Sequence, residues 1–193
     1  MYARTVKGEE LSFGVSGLLY KANVLMYDHQ SESLWSQVKR TSVTGPMTGT
    51  KLKVLPSSLT TWGRWSKRHP DTQVLSFNTG HSRDYSRDPY GTYRGTGWGR
   101  FLSNFIGRSL DKDEVQFVVG VQVGDSARAY PMEQLRKTGS FSDNLGGVDL
   151  LVQYDSQTDK VTVSSSQGDR IEHLVVYWFV FKETHPEAAL FEP

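Results

Sequence analysis

The sequence predicts an α+β protein, mainly antiparallel β, built as two related halves, and three observations carry that reading. Eighteen glycines are spread between short runs rich in Val, Leu, Tyr and Phe, the pattern of short strands joined by tight turns. One aromatic phrase occurs twice. Trp62, Trp65, His69 and Pro70 in TTWGRWSKRHPDTQVL reappear as Trp178, Phe181, His185 and Pro186 in VYWFVFKETHPEAAL. A second phrase precedes each copy: Tyr27-Asp28-His29-Gln30-Ser31-Glu32 answers Tyr154-Asp155-Ser156-Gln157-Thr158-Asp159. Two matches in the same order are the mark of an internal duplication. The expected organisation is a single compact domain over 1–193 with an internal repeat, 24–76 and 150–191. An Arg/Tyr/Gly-rich connection, 77–114, and a strand–helix segment, 115–149, join the copies.

Taken in order, LSFGVSGLLY and NVLMYD read as strands, and DHQSES is a polar turn into a strand at Leu34-Trp35. In TSVTGPMTGTKLKVLP, glycine-containing turns flank apolar residues and Pro56 closes the stretch. Leu59, Trp62 and Trp65 then fall at helical spacing, with Ser57, Ser58, Thr60 and Thr61 as candidate caps. Pro70 disfavours helical backbone at His69 and so ends that helix. The run 77–114 has no sustained period, and long irregular connections inside compact domains are often functional. Strands resume at VQFVVGVQVG and SARAYP. A short helix follows in PMEQLRKTG, with Pro131 at its first turn and Gly139 just past its end. GVDLLVQYD and KVTVSS form the second hairpin. VVYWFVFKETH has helical spacing but a β-branched and aromatic composition that also suits a strand.

Bulk composition excludes several function classes. A net charge of +1 gives no reason to expect a nucleic-acid binder. No apolar run approaches the ~20 residues of a membrane-spanning helix, and the N-terminus lacks the apolar stretch of a secretory signal. The chain is therefore expected to be soluble: cytoplasmic as written, or extracytoplasmic if an export segment precedes it. With no cysteine, disulfides, thiolate metal sites and cysteine nucleophiles are excluded. Gly14-Val15-Ser16-Gly17 is followed by Leu18 where a nucleophile elbow needs glycine. Gly95-Thr96-Gly97-Trp98-Gly99 is followed by Arg100 and lacks the βαβ setting of a dinucleotide site.

Over FGVSGLLYKANVLMYDHQSESLWSQ, TGPMTGTKL, TTWGRWSKRHPDTQVLS, TGHSRDYSRDPYGTY, GVQVGDSARAYP and the closing aromatic-His-Pro phrase, the chain strongly resembles domain-of-unknown-function family 3179. The resemblance covers nearly the whole chain and implies no activity. Members of that family usually carry a cysteine-containing strand just upstream of the FGVSG phrase, and Met1 stands where it would end. Any metal or redox role of those cysteines is not expected of this chain.

Three candidate chemistries remain. In GHSRDYSRDPYGTYRG, Arg83, Asp84, Tyr85, Arg87, Asp88, Tyr90, Tyr93 and Arg94 gather guanidinium donors, carboxylates and aromatic faces. That mixture suits a small polar or anionic ligand. Residues 62–108 hold eight Lys/Arg against three Asp, an excess of five positive charges that leaves the rest of the chain near −4. The leading expectation is a binding module with its site in residues 81–94. Mutual Arg–Asp pairing that merely holds the loop is the competing reading. The alternative is a metal-assisted, hydrolase-like enzyme in which His81, Asp84 and Asp88 hold a divalent ion. A third reading is a structural, partner-binding subunit, which an apolar patch exposing Trp35 and Trp98 would favour. His69 and His185 form either a symmetric pair of ligands or bases, or two helix C-terminal residues that bond the last carbonyls. The repeated aromatics, Trp62, Trp65, Trp178 and Phe181, are expected in the core.

Overall fold

The structure is a computed structural model and describes residues 1–86 and 112–192. The chain divides into two units, Met1–Ser58 with Asp113–Pro193 and Leu59–Lys112. The first unit opens with a two-stranded ladder, β1 (Thr5–Val6) and β2 (Glu9–Glu10). An antiparallel meander follows: β3 (Phe13–Tyr20), β4 (Asn23–Asp28), β5 (Leu34–Ser36) and β6 (Thr41–Thr44), hydrogen-bonded in that order. After the excursion into the second unit come β7 (Phe117–Val123), β8 (Ser126–Pro131) and helix α2 (Met132–Thr138). Next are β9 (Ser140–Leu145), β10 (Val148–Asp155) and β11 (Lys160–Ser165), a three-stranded antiparallel sheet. The chain closes with β12 (His173–Tyr177), α3 (Trp178–Thr184) and β13 (Ala189–Leu190). The fold is α+β and mainly antiparallel.

The turn chemistry explains the hairpins. Gly146 and Gly147 join β9 to β10 with φ of 58° and 79°, the pair of positive values a two-residue hairpin requires. Lys21 and Ala22 do the same work between β3 and β4 at 53° and 57° without being glycine, so that turn is strained. The β12-β7-β8-β13 sheet is antiparallel except for the parallel β8–β13 pair. Helix α3 therefore leaves one edge of this sheet and returns to the other. Midway it lays Phe181, 2% exposed, over Gly120 of β7, where an added Cβ would stand 2.3 Å from the ring. Here glycine is needed for close approach rather than for flexibility.

Among the described residues, two clusters, beside the buried Val118, Phe179, Val180 and Phe181 around α3, make up much of the core of the first unit. Val119, Val121, Tyr130, Met132, Leu135, Phe141, Leu150, Val152 and Val163 form the larger one, with α2 packed against β7, β8, β9 and β10. Val6, Leu11, Trp35 and Leu52 form the smaller. Trp35 is fully buried, so it cannot belong to an exposed apolar patch, and Trp98 lies outside the described residues. The Trp35 indole donates to the buried Asp28 carboxylate at 2.7 Å, which also accepts from the Ser31 N–H and hydroxyl at 2.5 and 2.8 Å.

In the second unit, α1 (Trp62–Arg68) starts at Thr61, whose hydroxyl accepts from Arg64 N–H, and ends at His69. It buries none of its residues. Trp62 and Trp65 are 55% and 38% exposed, which corrects the expectation that both lie in a core. Trp65 is satisfied locally: its ring lies 4.1 Å from that of His69, and its indole N–H donates to the Thr72 hydroxyl at 3.0 Å. In the first unit Phe181 is buried, whereas Trp178 is only half-buried.

Candidate functional site

The described part of the expected binding segment is exposed. His81, Arg83, Asp84 and Tyr85 all face solvent. Asp84 accepts from the Ser86 N–H and hydroxyl at 3.0 and 2.5 Å, and the Tyr85 hydroxyl shares a 2.7 Å bond with Thr79. Arg87, Asp88, Tyr90, Tyr93 and Arg94 lie outside the described residues. Among the described residues no three His, Asp or Glu side chains gather as a metal site. His69 and His185 belong to different units.

A cleft in the first unit gathers the stronger chemistry. One wall comes from the four-residue link between β5 and β6. Buried Val38 anchors this link, and the Ser36 hydroxyl accepts the Lys39 N–H at 3.2 Å. Arg40 takes a left-handed φ of 59°, a conformation an arginine adopts only under constraint from its surroundings. That constraint is visible: the Leu52 N–H donates to the Arg40 carbonyl at 2.8 Å, and the Tyr2 hydroxyl donates to the carbonyl of Gln37. A bridge between Thr41 and Lys51 then brings a second lysine to the same wall.

The opposite wall is made by Gln122 of β7, Glu172 just before β12, and Thr184 with His185 at the end of α3. These residues, with Lys39, Arg40, Thr41, Lys51 and Leu52, enclose about 390 Å³. Arg40 Nη1 donates to Glu172 Oε2 at 2.8 Å across the gap. Three cations against one carboxylate leave the lining two positive charges in excess, where the whole chain carries +1.

His185 has a structural role and a place in the cleft at once. Its N–H caps α3 through the Phe181 carbonyl at 2.8 Å, and its ring lies 4.6 Å from that of Phe181. Burial pushes its pKa below the ordinary histidine value, and the nearby Arg40 and Lys39 lower it further, with Glu187 opposing. The imidazole is therefore held neutral beside a positive lining. The Thr184 hydroxyl donates to the Val180 carbonyl at 3.1 Å. The cleft thus offers cationic donors, a neutral imidazole and an amide, the equipment of anion recognition.

The family model described as "Protein of unknown function (DUF3179)" matches residues 1–170. The chain belongs to this family. The matched span of the family contains Lys39, Arg40, Lys51 and Gln122, while Glu172, Thr184 and His185 lie beyond it. No curated protein and no solved structure matches this family member. No described helix is long and apolar enough to cross a membrane.

Sequence reasoning reached His185 through its repeat but missed Lys39, Arg40, Lys51 and Glu172. The adjacent Lys39-Arg40 pair between two strands was the signal present. Its convergence with residues 51, 122, 172 and 185 depends on tertiary structure.

Proposed function

We propose that the protein is a binding module for a small anionic ligand, held in the cleft between the β5–β6 link and the end of α3. The convergence of Lys39, Arg40 and Lys51 on one cleft with a single opposing carboxylate carries this reading. Lys51 has no ion pair among the described residues, so its charge is available to a ligand. Titrating citrate and inorganic phosphate into the wild type and into Lys39→Ala/Lys51→Ala tests it. Binding to the wild type should raise the melting temperature, with ligand at 100 times Kd adding about 2.7 kcal/mol. The double variant should bind at least about tenfold more weakly, a loss of roughly 1.4 kcal/mol. Absence of binding by both anions, or equal affinity in the double variant, overturns the reading.

The segment 81–94 is the second place for the same ligand chemistry, supported by the local positive excess. Loss of binding in Arg83→Ala/Arg87→Ala with full binding in the lysine variant would move the site there.

We also infer that the two phrase pairs descend from a duplication within one compact chain. Both His-Pro phrases cap a seven-residue helix at similar backbone angles, −131°, 70° at His69 and −126°, 79° at His185. In each the histidine N–H bonds the carbonyl four residues back, and its own carbonyl accepts the N–H three residues on. The paired turns agree as well: Glu32 and Asp159, equivalent in the two phrases, have positive φ of 56° and 54°.

A further inference from the structure

The state of the Arg40–Glu172 pair bears on the class of ligand, provided the cleft is an anion site as proposed above. Arg40 lines the cleft with its side chain 19% exposed, yet only Nη1 is engaged, by a single oxygen of Glu172. A guanidinium carries five N–H donors in a planar fork suited to two-oxygen acceptors. No other hydrogen bond of this guanidinium exists among the described residues. Glu172, at 55% exposure, is held loosely. It sits at the end of a stretch without regular structure leading into β12, and Arg40 is its single polar partner among the described residues. A one-oxygen ion pair whose carboxylate is half-exposed contributes on the order of 1 kcal/mol, little enough to be exchanged.

We propose that Glu172 is an internal stand-in for the ligand. It keeps Arg40 occupied until a carboxylate group of the ligand displaces it and takes the fork with both oxygens. Lys39 and Lys51 receive a second carboxylate on the same molecule, so the ligand class is a small polycarboxylate. A molecule of citrate's size fits a cleft of about 390 Å³. Displacement swings an already half-exposed side chain into solvent and leaves no buried charge behind, so its cost is small.

Calorimetric titration of the full chain with citrate and with inorganic phosphate, for the wild type, Glu172→Gln, Glu172→Asp and Arg40→Lys, tests the proposal. Removing the competing carboxylate in Glu172→Gln should tighten citrate about fivefold, the equivalent of one such ion pair. Glu172→Asp, whose shorter arm reaches Arg40 less well, should tighten it in the same direction and serves if Glu172→Gln folds poorly. Arg40→Lys, which keeps the charge and loses the fork, should weaken citrate at least about tenfold. Citrate affinity unchanged or reduced in both Glu172 variants overturns displacement while leaving the cleft an anion site. Phosphate binding without citrate binding overturns the ligand class. If neither anion binds the wild type or any variant, the anion-binding reading itself fails.

Discussion

Asp28 is the residue on which the smaller core depends most. Its carboxylate is fully buried and takes hydrogen bonds from the Trp35 indole and from Ser31. Burial alone would raise its pKa, but those bonds outweigh burial and hold it below the ordinary carboxylate value. The stabilisation is therefore present above the unfolded pKa of about 3.9 and is lost as pH falls through the lower folded value. Asp28→Ala strands a buried indole N–H, takes one partner from the Ser31 hydroxyl, which keeps its bond to Ser33, and opens space beneath Trp35. We expect a loss of about 2–4 kcal/mol, read by urea unfolding. A loss under about 0.5 kcal/mol, the size of an ordinary surface change, would show that the network contributes nothing special. The sequence marked Asp28 as a turn residue, because Tyr-Asp recurs ahead of both aromatic phrases. Its burial and its bond to Trp35 were not legible, since they arise when the turn folds back over β5.

The elements themselves were largely written in local patterns. The short runs rich in Val, Leu, Tyr and Phe between glycines became β3, β4, β7 and β8, and Pro131 with Gly139 bracketed α2 as expected. The ambiguous VVYWFVFKETH turned out to contain both states, strand to Tyr177 and helix from Trp178. The switch falls where backbone pairing with β7 ends at Phe117, which no local preference announces. The aromatic spacing of α1 correctly indicated a helix but not its exposure, because burial depends on what the rest of the fold brings against it. The β3–β4 hairpin offers a test at this scale. Ala22 occupies a left-handed position that glycine fills without steric cost. Ala22→Gly should therefore raise stability by about 0.5–1 kcal/mol and the melting temperature by roughly 1–4 °C. A lower melting temperature would mean that the flexibility glycine adds to the unfolded chain outweighs the relieved strain.

Across the whole molecule, the cleft could not be read from the sequence because its lining comes from positions 39–41, 51–52, 122, 172 and 184–185. Apart from His185, which its repeat singles out, no stretch announces that it belongs with the others. The assembled unit has a distinctive dependence on pH. Burial lowers the pKa of His185, helped by Arg40 and Lys39 against Glu187. Burial also lowers that of His173, where the Ile171 carbonyl opposes and Arg170 assists. Both imidazoles take up a proton more readily in the unfolded chain, so stability should fall as pH drops from about 6.5 toward the folded values. Thermal unfolding should thus show a higher melting temperature at pH 7.5 than at pH 5.5, with a shallower slope in His185→Asn. Ligand affinity should move the other way, because an anion beside His185 favours the imidazolium and binding tightens as pH falls. A flat melting profile in the wild type would contradict the first expectation. The path of α3 carries a mechanical consequence. Because it is tied through β12 and β13 to opposite edges of one sheet, it behaves as a strap fastened at both ends. His185 therefore cannot swing out on a fraying helix without unbuckling the sheet that holds both ends of α3.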